Sequence, residues 1–99
     1  MKTLNIIGAG NVGKVFAQLF GRHGIFQIQD VLNQSMESAA QAVEWIGFGH
    51  PVAQLDQMRP ADVTMLSVPD DEVMAVSDAW VACGLAQAGA VMVLFPSMR

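Results

Sequence analysis

Gly8, Gly10 and Gly13 stand in the order Gly-x-Gly-x-x-Gly, with Ala9, Asn11 and Val12 between them. Glycines at this spacing do their chemistry through the backbone. The first permits a tight strand-to-helix turn, the second lets a diphosphate approach the chain with no Cβ in its path, and the third lets a helix pack closely on a sheet. The N–H groups around Asn11 and Val12 then open a helix, whose N-terminus attracts an anion. Alone the pattern is a weak signal. Here it follows an apolar run from Leu4 to Ile7 and precedes an amphipathic stretch, the setting a dinucleotide cradle requires. The competing reading is a tight turn with no ligand.

Such a cradle has a selector near the end of its second strand, about 20 residues on. An acid there holds the ribose of NAD, or an Arg pairs with the 2′-phosphate of NADP. Asn33, Gln34 and Ser35 occupy the place, and none is charged. They are expected to hydrogen-bond the ribose of NAD or NADP without choosing between them by charge. Asp30 comes too early and belongs inside the strand.

The remaining reactive side chains give weaker signals. Asp70, Asp71 and Glu72 suit the positive end of a helix, with Asp70 as its cap; a ribose contact or a metal are the sharper alternatives, and no metal is expected. His23 follows a helix end, and His50 reads as a solvated loop residue before Pro51. Two isolated histidines with no paired carboxylate make no hydrolytic site. Cys83 has no Lys, Arg or His beside it and reads as a packing residue late in a helix. Trp45, Phe48, Trp80 and the seven Met residues read as core or interface. No catalytic residue can be named from these patterns.

Elements must hold the glycine turn in place. Apolar runs at residues 3–7, 63–68 and 90–95 predict buried strands of a parallel sheet. Residues 26–32 alternate and predict a less buried strand, and a weak strand is expected at 51–53. Val12, Val15, Phe16, Leu19 and Phe20 predict a helix ended by Gly21 and Gly24. Ser35 is expected to cap a second helix, with Glu37 or Ser38 in its first turn, striped by Ala39, Ala40, Val43 and Ile46 and stopped by Gly47 and Gly49. A third helix from Asp70 carries Val73, Val76, Trp80 and Val81. The order is β-α-β-α-(β)-β-α-β, an α/β, Rossmann-like, doubly wound parallel sheet of order 3-2-1-4-5 with right-handed crossovers. Residues 1–99 form one domain.

Bulk composition agrees with a domain that binds rather than one that works alone. The 99 residues are 53% hydrophobic and 14% charged, with a formal net charge of −4. No Lys/Arg cluster is present, which argues against nucleic acid or an anionic membrane as partner. The lone cysteine excludes an intrachain disulfide, and with no signal peptide or span in view a cytoplasmic location is expected. The apolar excess is expected to cover a second copy (a homodimer) or a helical partner domain.

Asn5-Ile6-Ile7-Gly8-Ala9-Gly10-Asn11-Val12-Gly13, Val31-Leu32-Asn33-Gln34-Ser35 and Ser67-Val68-Pro69-Asp70-Asp71 together resemble the N-terminal cofactor domain of a dehydrogenase superfamily. That superfamily includes 6-phosphogluconate and 3-hydroxyisobutyrate dehydrogenases, pyrroline-5-carboxylate reductases, deazaflavin-dependent NADP reductases and uncharacterised Rossmann-like oxidoreductases. The likeness spans nearly the whole chain, and its Val-Pro-Asp-Asp segment is more specific than its glycines. It implies that the backbone of Ser67, Val68 and Pro69 borders the nicotinamide side of a bound NAD or NADP. NADP-preferring relatives often carry Asn-Arg-Ser/Thr where Asn33-Gln34-Ser35 stands. After the fifth strand the relatives' His-x-Ser-Gly-like segment is replaced by Phe95-Pro96-Ser97-Met98, which keeps only the Ser. Such enzymes continue into a helical C-terminal domain that supplies most catalytic residues, whereas this chain stops at Arg99. It is therefore expected to be a fragment or a stand-alone half, needing another domain or partner for hydride transfer. The rival expectation is a non-catalytic module that senses nucleotide or mediates association.

Overall fold

The computed structural model describes residues 1–68, 70–85 and 91–94. Strand β1 (Thr3–Ile7) leads to helix α1 (Asn11–Arg22), β2 (Gln27–Leu32), α2 (Met36–Ile46) and β3 (His50–Val52). A single 3-10 turn at Leu55–Gln57 precedes β4 (Val63–Leu66), α3 (Asp70–Ala82) and β5 (Val91–Leu94). The strands form one parallel sheet in the order β3-β2-β1-β4-β5, as the sequence predicts. After β3 the chain crosses back to the other side of β1, so the order reverses between β1 and β4. That reversal opens a crevice at the C-terminal ends of these strands.

Both faces of the sheet are covered, which is why its central strands are apolar almost throughout. Leu4, Ile6, Ile28, Val31 and Met65 meet Ala17 of α1 and Ala42 and Ile46 of α2 on one face. Ile7, Leu66 and Val52 meet Met58, Trp80 and Leu85 on the other. Each fully buried aliphatic side chain contributes roughly 1.5–3 kcal/mol by leaving water.

Strand β2 departs from the expected half-buried alternation. Leu4 pairs with Ile28 but Ile6 pairs with Val31, so β2 carries one extra residue, a bulge, at its middle. The bulge keeps Ile28 and Val31 on the same face although they are three apart. It also leaves Asp30 fully buried. The Asn5 carboxamide fills the gap: its Oδ1 accepts from the Asp30 backbone N–H at 3.1 Å and from Gln29 Nε2 at 3.0 Å, and its Nδ2 donates to the Arg59 carbonyl. Arg59 answers with a two-pronged ion pair to Asp30, Nη2 to Oδ1 at 2.9 Å and Nε to Oδ2 at 3.2 Å, while its backbone N–H donates to Oδ2 at 2.7 Å. The carboxylate holds the Arg59 guanidinium above its ordinary pKa through that hydrogen bond and the opposite charge.

Helix α2 begins on Ser35, whose Oγ accepts from the Ser38 N–H at 3.1 Å while Ser38 Oγ accepts from the Ser35 N–H at 3.0 Å. It ends on Gly47 at φ +86°. Its buried stripe is Ala39, Ala42 and Ile46; Ala40, expected inside, is exposed because the stripe runs through the position two later. Helix α1 does not end at Gly21. It runs to Arg22, and a Cβ on Gly21 would lie 2.6 Å from the Phe48 ring, so this glycine serves packing. The turn falls to Gly24, at φ +65°.

Helix α3 starts at Asp70 itself, one residue earlier than a cap there would allow, and Pro69 falls outside the described residues. Val73, Val76 and Trp80 face inward as expected, but Val81 is exposed. Cys83 lies past the helix end and is exposed, not packed. His50 opens β3 rather than sitting in a loop, because its Cα pairs in register with Asp30. Residues 90 and 95, predicted strand ends, and the segment Phe95 to Met98 fall outside the described residues.

Candidate functional site

The ends of β1, β2 and β4 are tied together where the chain turns. The Gly8 N–H donates to the Leu32 carbonyl and the Ser67 N–H to the Ile7 carbonyl, both at 2.8 Å. Gly8 adopts φ +82°, and a Cβ there would lie 2.3 Å from the Ser67 carbonyl oxygen. Only glycine permits that approach. A Cβ on Gly13 would come within 3.1–3.3 Å of the Gly8 carbonyl and the Ser67 side chain, so α1 rests directly on the turn.

Gly10 differs from both. Its φ of −75° is open to any residue, and a Cβ there meets nothing within 4 Å among the described residues. Packing among the described residues gives no reason for a glycine at this place. The first helical bond of α1 runs from the Lys14 N–H to the Gly10 carbonyl at 2.9 Å, so the N–H groups of residues 11–13 have no intrahelical acceptor and are available to an anion at the turn.

Gly8 and Gly10 open onto a cleft of about 510 Å³. Asn33, Gln34, Ser67 and Val68 line it together with Ile7, Leu32 and Leu55, and α3 closes it with Glu72, Ala75, Val76 and Ala79. It is a mostly apolar slot with a few polar groups, the form of a small-molecule site. Of the residues singled out in the sequence, Gly8, Gly10, Asn33, Gln34, Ser67 and Val68 thus share one cavity. Gly13 packs behind it. Ser35 caps α2 instead of lining the cleft. Asn11 and Val12 open α1, and nothing is described of their side chains. Pro69 lies outside the described residues.

Sequence reasoning missed the apolar wall from α3 and Leu55. Its only trace was the helical spacing of Glu72, Ala75, Val76 and Ala79, which reads as an ordinary inner face. It also missed a recess of about 310 Å³ between α1 and α2, lined by Ala9, Lys14, Asn33, Ser38, Gln41, Ala42 and Trp45. Asn33 borders both cavities, and its Nδ2 donates to the Ala9 carbonyl at 3.4 Å. Among the described residues no three of His, Cys, Asp and Glu gather as a metal site. No described helix is long and apolar enough to cross a membrane.

Residues 3–93 match the family model described as NADP oxidoreductase, coenzyme F420-dependent. The chain belongs to this family. The family's description names NADP as its nicotinamide dinucleotide. The fold recurs in a protein described as an NADP oxidoreductase from Bacteroides fragilis, at TM-score 0.82 and 24% identity over 94% of this chain. It recurs in prephenate dehydrogenase from A. aeolicus, solved with hydroxyphenyl propionate and NAD+, at 0.78 and 22% over 100% of the chain. Pyrroline-5-carboxylate reductase from Coxiella burnetii gives 0.74 and 20% over 94%. In each case this chain spans 35% of the other protein's length. No curated protein sequence matches it.

Proposed function

We propose that this chain is the cofactor-holding domain of an oxidoreductase that transfers hydride to or from NADP or NAD. The reading is carried by Gly10, the glycine of the turn where, among the described residues, an added side chain would meet open space and no contact. The pyrophosphate lies over Gly8 to Gly13, against the N–H groups that open α1. The adenosine ribose lies beside Asn33 and Gln34, near Ser35, and the nicotinamide end is directed toward the backbone of Ser67, Val68 and Pro69.

The cofactor, when bound, supplies the hydride chemistry. The chain's own residues bind and orient it. Leu32, Leu55 and Val76 exclude water from its planar rings, while Asn33 and Gln34 offer amide donors and acceptors to hydroxyl groups. Ser67 is nine-tenths buried at the end of β4 and lines the cleft, with its side chain against Gly13. Among the described cleft residues no His or Lys offers the proton a carbonyl reduction needs, and Glu72, in the first turn of α3, is the one acid. Catalysis therefore requires residues from a helical partner domain or a second copy, in a reducing, cytoplasmic setting that suits the exposed thiol of Cys83.

Titration of the chain with NADPH and with NADH, followed by nicotinamide fluorescence, tests this. Saturable binding of at least one dinucleotide in the micromolar range is expected. Absence of any signal from both at millimolar concentration overturns the reading.

A further inference from the structure

We infer that Lys14 is the charge that selects NADP over NAD, acting from the recess between α1 and α2 and not from the loop after β2; the inference rests on the cofactor reading above. The loop itself, Asn33-Gln34-Ser35, holds no cation. The recess does. Lys14 Nζ sits 5.0 Å from the centroid of the Trp45 ring, a cation–π contact between two residues that line the recess. The Trp45 end of α2 is fixed in turn by Gln18, whose Nε2 donates to the Trp45 carbonyl at 3.1 Å.

Three observations place a phosphate monoester there. Asn33 follows β2 directly, where the ribose of a bound dinucleotide lies, and lines both the main cleft and the recess. A substituent on the ribose hydroxyl can leave the cleft past this side chain. Charge then decides the direction. Among the described residues the main cleft carries the carboxylate of Glu72 and no cation, whereas the recess carries Lys14 and no acid. Finally, Lys14 has no carboxylate partner among the described residues, where the one ion pair is Arg59 with Asp30. Its ammonium group is available to a dianion, with Gln41 able to donate beside it. Ser38 is less useful, because its hydroxyl is occupied with Ser35.

Affinities of NADPH and NADH for the full chain, compared between wild type, Lys14→Met and Lys14→Arg, test the inference. Wild type is expected to bind NADPH at least tenfold more tightly. Lys14→Met keeps the apolar stem and is expected to weaken NADPH about tenfold while leaving NADH unchanged, the loss of one charge-assisted phosphate contact. Lys14→Arg is expected to keep the preference. Raising salt should weaken NADPH more than NADH in wild type and equally in Lys14→Met. Equal wild-type affinities, or a Lys14→Met loss shared by both dinucleotides, would overturn the role of Lys14 and leave the cofactor reading standing. Failure of wild type to bind either one overturns both.

Discussion

At Gly10 a methyl group would touch none of the described residues, while at Gly8 it would strike the Ser67 carbonyl from a backbone at positive φ. The two positions therefore separate folding from binding. Gly10→Ala is expected to change stability by no more than about 0.5 kcal/mol, since it fills no contact and strains no dihedral. Its dinucleotide affinity should fall at least tenfold, and calorimetric titration beside a thermal melt reads both quantities. Gly8→Ala should act first on the fold, costing about 2–4 kcal/mol through backbone strain and overpacking together. A Gly8→Ala variant that melts like wild type would show that the strand ends shift more easily than their hydrogen bonds suggest.

Between elements, the polar knot of Asn5, Gln29, Asp30 and Arg59 joins β1 and β2 to the segment leading into β4. Asn5→Ala removes the acceptor of the buried Asp30 N–H and is expected to destabilise the fold by about 1–3 kcal/mol, measured by urea unfolding. A second clasp lies at the start of the sheet, where the Thr3 N–H donates to Asp62 Oδ2 at 2.8 Å. That hydrogen bond is the main reason the Asp62 carboxyl titrates below its ordinary 3.8. A carboxylate so depressed stabilises the fold above 3.8 and loses that contribution as pH falls below it, toward its folded pKa. Asp62→Asn should then lose less melting temperature than wild type between pH 5 and pH 2; equal losses would show that the clasp carries no linkage. Neither knot was legible in the sequence. Thr3 and Asp62 are 59 residues apart, and Asn5 and Arg59 54. Only a bulged β2 brings Asp30 against Asn5, and its one trace was the broken alternation from Ile28 to Val31. The glycine turn, Ser35 and the strand order were legible because each rests on neighbours in the chain: a turn, a cap or a period. The Lys14–Trp45 recess was not, since it exists only once α1 and α2 lie side by side.

For the whole molecule, a ligand that binds only the folded chain must raise its stability. NADPH at one hundred times its dissociation constant adds about 2.7 kcal/mol. In a domain of this size that corresponds to roughly 10–20 °C in melting temperature. Gly10→Ala at the same NADPH concentration should show a smaller rise, and a melt indifferent to NADPH in wild type would argue that the cleft takes some other guest. The five-stranded sheet sets the cleft where its order reverses, so the crevice is a product of topology before it is a product of any side chain.

The unequal duties of the three glycines reach beyond this chain. Gly8 and Gly13 are required by the neighbouring strand and helix, so a descendant that abandoned its dinucleotide would still have to keep them or unfold. Gly10 carries no such obligation and would be free to drift to alanine or serine. A fingerprint scored as three equivalent positions therefore mostly records that the domain folds. The middle glycine is the letter to read when asking whether a degenerate copy of this domain still holds a cofactor.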